Sequence, residues 1–312
     1  YDNQKFRENG GITDDRYITD PLAMAEGKKQ YSSTDIPTLL NKVWNHNTSF
    51  HTFLTHRYNL GFYKEKTDSV STDSIQTIQE FVPVTSFIHT LEYDNNKRKY
   101  ISQDHNQNLQ LFEHNYFGSD STDIAKRNSL RNTFGISLRE GFNKWAKAGL
   151  TAYLTHEYRD FGLRDTIDNG KITMKQYKEN VVYVGGELLK EQGKLLHYKV
   201  LGEIGVAGED AGSFRVEGKG DLNFKFLGDS VRLDANVYVK NLNPTFFYRH
   251  FHSKHYWWDN DDLSKIMRTR VEGKLSFQKL GTTLRAGVEN IKNYTYLANT
   301  SLPITNSAGE IT

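Results

Sequence analysis

One segment of this 312-residue sequence concentrates side chains that could bind a metal ion. Between positions 241 and 262 the potential ligands are His250, His252, His255, Asp259, Asp261 and Asp262. Imidazole nitrogens and carboxylate oxygens are ligands that suit zinc or copper. In a strand, however, His250 and His252 share one face and His255 does not. We therefore expect an aromatic loop and strand extension held by ring stacking, with no metal site.

Other motifs for chemistry are incomplete. Asp168-Asn169-Gly170-Lys171 is similar to part of a calcium loop, but Ile167 stands where an oxygen ligand is needed, so the Asn-Gly pair predicts a turn. The sequence has no cysteine, no nucleophile elbow, no phosphate-binding glycine loop and no His-Glu-x-x-His motif. Carboxylates are abundant, but no pair stands out as a glycosidase pair. We predict no catalytic residue, no enzyme activity and no cofactor.

The charged residues follow a strict two-residue period. From Phe214 to Phe226 the even positions are apolar or glycine, and the odd positions between them are charged or amide side chains. After the turn at 227–230 the parity inverts, and Val231 begins a second alternating run that ends at Lys240. This pattern predicts two antiparallel strands joined as a hairpin.

Similar runs occur along most of the chain, and they predict about ten strands. Many approach the ~9 to 11 residues that cross a bilayer at a tilt. Tight turns are predicted near Asn143, at 191–193, at 227–229 and near Gly281, whereas long polar loops are predicted at 94–127, 160–178 and 242–265. Alternation of short and long connections is typical of outer-membrane barrels. The predicted fold is an all-β, antiparallel transmembrane β-barrel, with this chain covering about ten or more strands of a larger barrel.

Three regions follow from this pattern. Residues 1–49 are predicted to be an extracellular-side loop region with one short helix, and residues 50–296 to be barrel strands with short periplasmic turns and long external loops. Residues 297–312 are predicted to form an external loop. Because both outer strands would then end outside, whereas barrel termini normally lie in the periplasm, we expect the chain to be a fragment.

The charged face of these strands is the candidate functional surface. In a barrel this face would line the lumen, where basic residues slightly outnumber acidic ones and favour modest anion preference. The alternative is that these residues only solvate the lumen. The lumen-facing candidates are Lys199, Glu203, Arg215, Glu217, Lys219, Asp221, Arg232, Asp234, Arg268, Arg270, Glu272, Lys274, Arg285 and Glu289.

Composition excludes several classes of protein. Lys and Arg total 40 against 38 Asp and Glu, so no basic excess indicates a nucleic-acid partner. The mean hydropathy is −0.69, and no run approaches the ~20 apolar residues of a membrane helix. A soluble antiparallel sandwich is the alternative, because its strands would also alternate apolar and polar residues. Aromatic residues near predicted strand ends favour the membrane, where they would form interfacial girdles; they are Tyr93, Tyr100, Phe142, Trp145, Tyr158 and Phe161.

Two stretches, 53–65 and 81–90, resemble the porin family of Bacteroidota outer membranes. The similarity continues at 140–147, at 184–193, and at 248–255 with the following Trp257-Trp258-Asp259. It extends from about residue 10 to residue 296. The resemblance implies an outer-membrane channel whose members are longer than this chain. It supplies no catalytic or ligand-binding residue.

The function predicted from these features is that of an outer-membrane porin with a water-filled channel for passive diffusion of small hydrophilic solutes. The expected location is the bacterial outer membrane, and the expected partners are its lipid and lipopolysaccharide, with other envelope proteins or further copies of the chain as additional candidates. One alternative is a plugged or structural barrel that serves as a subunit of an envelope complex. Another is an outer-membrane or secreted enzyme or carbohydrate binder.

Overall fold

The chain forms one large antiparallel sheet with smaller elements in its connections. The computed structural model describes residues 1–26, 31–71, 74–103, 111–112, 114–141, 148–166 and 170–297, without side chains at 66–71 and 74–78. The large sheet contains β1 (Asp2–Glu8), β2 (Val43–Ser71), β3 (Ser74–Ser102), β4 (Thr122–Leu138), β5 (Gly149–Thr166), β6 (Ile172–Lys190), β7 (Leu196–Gly208), β8 (Phe214–Phe226), β9 (Asp229–Leu242), β12 (Ile266–Phe277) and β13 (Thr282–Lys292). The smaller elements are α1 (Arg16–Thr19), α2 (Pro21–Met24), α3 (Phe246–Arg249), β10 (His250–His252) and β11 (Trp257–Asp259).

The order of the strands is a simple meander. Each strand of the large sheet pairs with its neighbour in sequence, except that β9 pairs with β12 because β10 and β11 form a separate hairpin between them. The all-β, antiparallel class is thus confirmed. Within the described residues, no pairing joins β1 to β13, so the sheet is open at both edges.

Strand pairing sorts the side chains onto two faces, because successive residues of a strand point to opposite sides. We call one the polar face; it carries register neighbours such as Glu203 and Arg215, or Arg270 and Glu289. The other, the apolar face, carries large hydrophobic side chains that are each at least 37% exposed. They include Leu54, Tyr58, Leu60, Phe87, Leu130, Phe134, Ile136, Leu150, Leu154, Val184, Leu188, Val200, Ile204, Val216, Val237, Val271, Leu284 and Val288.

The connections differ at the two ends of the strands. At one end, β8 and β9 are joined by only Leu227 and Gly228, whose φ angles are 48° and 77°. Positive φ at both central residues is the type I′ arrangement, whose twist matches a hairpin. At the opposite end lie the longer connections 103–121 and 243–265. The predicted turns at 191–193 and 227–229 are confirmed; the predicted turn near Asn143 lies largely outside the described residues.

The strands are longer than predicted. Much of the predicted loops 94–127 and 160–178 is strand, since β3 continues to Ser102, β4 begins at Thr122 and β5 continues to Thr166. Hydrogen bonding across neighbouring strands keeps these polar segments extended after the apolar pattern has ended. Residues 1–49 are also more structured than predicted, with one strand, two short helices and the start of β2 at Val43. The predicted external loop 297–312 lies outside the described residues except for Leu297.

Two clusters of buried hydrophobic residues lie at the end of the sheet that carries the long connections 103–121 and 243–265, which we call the long-connection end. One cluster joins Ala125, Phe161 and Leu163 to Phe246 of α3, and another joins Leu40 and Val43 to Tyr100. Phe161 and Tyr100 were predicted to belong to an interfacial girdle, and that prediction is wrong. Both point to the polar face and are covered by connections that fold over it. Among the described residues, no helix combines the length and the apolar character needed to cross a membrane.

Candidate functional site

All fourteen predicted lumen-facing residues lie on the polar face. The registers of β7, β8, β9, β12 and β13 place them in rows across five neighbouring strands. One row, for example, runs from Asp221 through Asp234 and Lys274 to Arg285. Whether this face lines a lumen stays a prediction.

Ion pairs neutralise most of the basic side chains on these five strands. The pairs are Lys199–Glu187, Arg215–Glu203, Lys240–Glu217, Arg232–Asp221, Arg232–Asp234, Arg268–Glu289, Arg270–Glu272 and Arg285–Glu272. Of the predicted basic residues, Lys219 and Lys274 alone form no ion pair with the part of the chain that the structure describes. Lys219 lies directly opposite Lys199, a like-charge pairing that raises the local positive potential. These two lysines are therefore the least compensated cations of the predicted set.

The connection 243–265 folds onto the polar face instead of extending away from the strands. We call it the infolded segment. Phe246 of α3 stacks on Phe161 of β5, with ring centroids 3.9 Å apart and an interplanar angle of 6°. Tyr177 of β6 meets the same ring edge-on at 5.2 Å. Packing of aromatic rings thus attaches the start of the segment to the middle of the sheet.

A network of buried charges forms the second attachment. Arg249 is 8% exposed; its guanidinium donates to Glu179 at 2.5 Å and to Glu209 at 2.6 Å. Glu179 also accepts from Arg159 at 3.4 Å. A buried guanidinium needs such partners because an unpaired charge is costly to remove from water. Arg249 therefore connects the infolded segment to β6 and to the connection after β7.

Arg159 extends this network across the sheet. It donates to Glu157 at 2.9 Å, to Asp210 at 2.9 Å and to the hydroxyl of Tyr183 at 2.9 Å. Burial by itself would raise the pKa of Asp210, but hydrogen bonds from Tyr183 and Arg159 hold that pKa below its ordinary value. Asp210 lies in the connection 209–213, outside the strands, and it also accepts from Asn243 at 3.0 Å. The network therefore keeps Asp210 ionised at neutral pH.

Lys254 provides the third attachment. It is 1% exposed, and its ammonium donates to the carbonyl oxygens of Gly118 at 2.9 Å and Asp120 at 2.5 Å. Burial lowers the pKa of Lys254, while the nearby carboxylates of Asp120 and Asp123 act in the opposite direction. The side chain of Asp120 pairs with Arg164 at 2.6 Å, which holds the pKa of Asp120 well below its ordinary value. Lys254 thereby ties the infolded segment to the connection between β3 and β4.

The histidines divide as the sequence predicts. His250 and His252 both contact Asp259, at 2.8 Å and 2.9 Å, across the β10–β11 hairpin. His255 points elsewhere: its ring stacks on Phe112 at 3.9 Å and its Nδ1 lies 2.9 Å from the carbonyl oxygen of His114. In the residues that the structure describes, no group of three or more potential ligands is arranged to hold a metal ion. These imidazoles form hydrogen bonds and ring stacks.

Sequence reasoning did not identify the residues that attach the infolded segment. Arg249 and Lys254 are embedded in an aromatic stretch that the sequence presents as an external loop. Glu157, Arg159 and Glu179 lie on the same face of the sheet as many solvent-exposed charged residues. Alternation alone does not distinguish a buried, paired carboxylate from a solvated one. The available signal was the high local density of aromatic residues, since such a loop must pack on something.

Comparison with known proteins gives one finding. The family model described as "Putative porin" matches residues 1–312, which is the whole of this sequence. A search of curated proteins found no match. The match agrees with the antiparallel sheet and with its division into a polar and an apolar face. The chain therefore belongs to this porin family.

Proposed function

We propose that this chain forms part of the wall of a transmembrane β-barrel in the outer membrane, through which small hydrophilic solutes diffuse passively. The family match implies an outer-membrane location. In this arrangement the sheet closes, its polar face lines a water-filled lumen and its apolar face contacts lipid.

The exposed apolar face is the observation that carries the proposal. Eighteen large hydrophobic side chains of one face, named above, are each at least 37% exposed across β2 to β13. Soluble monomers rarely expose contiguous apolar patches larger than a few hundred Å². The hydrocarbon core of a bilayer is an environment that would cover such a face without another protein layer.

Closure follows from the same environment. The open edges at β1 and β13 carry backbone groups that have no water to hydrogen-bond within a bilayer, and each unsatisfied group costs several kcal/mol there. Both edges must therefore be paired in the membrane. Pairing of the edges would place the polar face inside, where the ion pairs described above would be hydrated.

The infolded segment gives specific support to a second candidate, a plugged or structural barrel that acts as a subunit of an envelope complex. It lies on the polar face and is attached through Phe246, Arg249 and Lys254. In an open porin it would narrow the passage, whereas in a plugged barrel it would contribute to closing it.

Single-channel conductance in a planar bilayer separates the two candidates. We expect stable ohmic steps from the purified full-length protein, and larger steps from Phe246→Ala, because loss of the stacked ring removes one attachment of the infolded segment. Phe226→Ala, at an exposed strand end by the short-turn edge, is the matched control and should conduct like the unaltered protein. Folded, inserted protein that never conducts would contradict the porin proposal and favour the plugged barrel.

A further inference from the structure

The β10–β11 hairpin has two different faces. His250, His252 and Trp257 point toward the sheet, where His252 stacks on Trp257 at 3.8 Å and His250 lies 4.9 Å from Tyr177. Phe251 and Trp258 lie opposite each other in register and point the other way, stacked at 4.8 Å. The first face attaches the hairpin to the sheet, whereas Phe251 and Trp258 of the second face are not part of that attachment.

That second face lines a cavity of about 980 Å³ at the long-connection end of the sheet. Its volume is at the upper end of the ~300 to 1,000 Å³ of small-molecule sites, which suits a ligand of several units rather than one. The aromatic lining includes Tyr248, Phe251, Tyr256, Trp258, Tyr294 and Tyr296. Tyr256, Tyr294 and Tyr296 are each more than half exposed, so much of their side-chain surface is open to solvent.

The charges of the lining are balanced. Arg98 and Lys254 are matched by Asp123 and Asp262, so the cavity has no surplus charge to select an anion or a cation. Asn260, Asn293 and Ser264 add uncharged hydrogen-bonding groups. The lining thus combines flat apolar surfaces with neutral donors and acceptors, and it favours a neutral ligand that has flat carbon faces and many hydroxyl groups.

We propose that this aromatic cavity binds a neutral oligosaccharide, with Trp258 and Phe251 as the central stacking surface and Tyr256 at its rim. The rings cover the C–H faces of successive sugar units, while the amides and hydroxyls around them contact the sugar hydroxyls. The site lies on the infolded segment, above the polar face. That the bound sugar then moves along this face rests on the proposed function; the binding itself does not.

Isothermal titration calorimetry of the purified full chain tests the site directly. The probes are maltohexaose, cellohexaose and xylohexaose, and the detergent is an amine oxide because maltoside headgroups would compete. We expect saturable binding of at least one hexaose, tighter than that of glucose. Trp258→Ala should raise the dissociation constant by about tenfold or more. Tyr256→Ala should raise the dissociation constant to a smaller extent, and this second variant keeps the test decisive if Trp258→Ala does not fold.

Tyr63→Ala is the matched control, since Tyr63 is an exposed tyrosine on β2, 69% accessible, and does not line the cavity. Absence of hexaose binding by folded protein would overturn the proposal, and so would binding that Trp258→Ala and Tyr256→Ala leave unchanged. Binding of p-nitrophenol without any binding of saccharides would indicate an aromatic solute instead. Conductance is measured separately. Protein that binds sugar but never conducts would contradict only the proposed pore function, and protein that conducts but binds no sugar would contradict only the proposed sugar site.

Discussion

Individual charged side chains play two roles in this molecule, and burial separates them. On strands β9 and β12 of the polar face, Arg232 and Arg268 are about half exposed and pair with neighbouring carboxylates on the same solvent-exposed surface. Such pairs contribute little to stability, because solvent screens them. Arg249 and Lys254 instead are buried where the infolded segment contacts the rest of the chain, and loss of one partner there leaves another charge uncompensated.

Replacement of Arg249 by alanine should detach the infolded segment. Glu179, which is 7% exposed, would lose its closest partner, and removal of one member of a buried ion pair costs about 3–5 kcal/mol. We expect faster proteolysis within 243–265 and a lower free energy of unfolding in guanidinium chloride. Arg285→Ala, at an exposed arginine paired with Glu272, should leave both quantities unchanged. Equal effects of the two substitutions would show that Arg249 does not attach the segment.

Lys219 and Lys274 should set the ion preference if the polar face lines a lumen. They are the predicted cations without an ion pair among the described residues, so their charge is the least cancelled. We expect the double variant Lys219→Gln, Lys274→Gln to shift the reversal potential in a salt gradient toward cation preference. Lys126→Gln removes a charge from the opposite face of β4 and should leave the reversal potential unchanged. Cation preference in the unaltered protein would contradict the predicted anion preference.

At the level of the strands, alternation acts together with register. A strand has two faces with different partners, and a shift of one residue would exchange them. The hairpin of β8 and β9 is protected from such a shift by its two-residue turn, in which Leu227 and Gly228 both have positive φ. The turn therefore helps to keep Arg215 and Lys240 on one face and Val216 and Val239 on the other.

A pair of adjacent substitutions on β9 tests the assignment of the two faces. Val237 lies on the apolar face and is 40% exposed, while Asn236 lies on the polar face between Lys219 and Glu272. Val237→Arg should destabilise the protein in lipid, lowering its free energy of unfolding by about 2–4 kcal/mol if the residue is near the bilayer midplane. Asn236→Arg should fold like the unaltered protein. Folding yield into liposomes and the urea midpoint measure the difference; indifference to Val237→Arg would rule out lipid contact at this position.

On the scale of the whole molecule, the infolded segment makes one end of the sheet different from the other. The compact clusters around Phe161 and Tyr100, the buried ion pairs and the aromatic cavity all lie at the long-connection end. The other end includes the short turns 191–195, 227–228 and 278–281, and neither of the two clusters reaches it. Stability at the long-connection end therefore depends on groups whose ionisation changes with pH.

Acid should release the connections at this end of the sheet, because two carboxylates that hold them become protonated. Changes of pH near neutrality should not affect these carboxylates. The pKa values of Asp120 and Asp210 lie below the ordinary value of 3.8, since Arg164 pairs with the first and Tyr183 and Arg159 hydrogen-bond the second. Their stabilisation is fully present above the ordinary value and is lost as the pH falls through the lowered values. We expect resistance to an acid-active protease to fall progressively below about pH 4. Asp120→Asn should flatten this dependence, and a dependence unaffected by that substitution would exclude Asp120 as its source.

The sequence by itself determined the class of the sheet, the hairpins and the identity of the polar face. Strict alternation over runs such as 214–226 and 231–240 has one structural solution, because a strand places every second side chain on the same side. For the same reason, the sequence alone separates His250 and His252 from His255. These are local properties, and they need only the chain's own geometry.

Only the tertiary structure decided where the infolded segment lies and which charges are buried. Phe161 and Tyr100 follow the same parity as solvated residues, and they are buried because Phe246 and other connection residues cover them. Arg249 meets Glu179 across 70 positions of sequence. No periodic pattern encodes a contact at that separation, since it depends on how the sheet and its long connection meet in space. The cavity beside Trp258 arises in the same way, from surfaces that are distant in sequence.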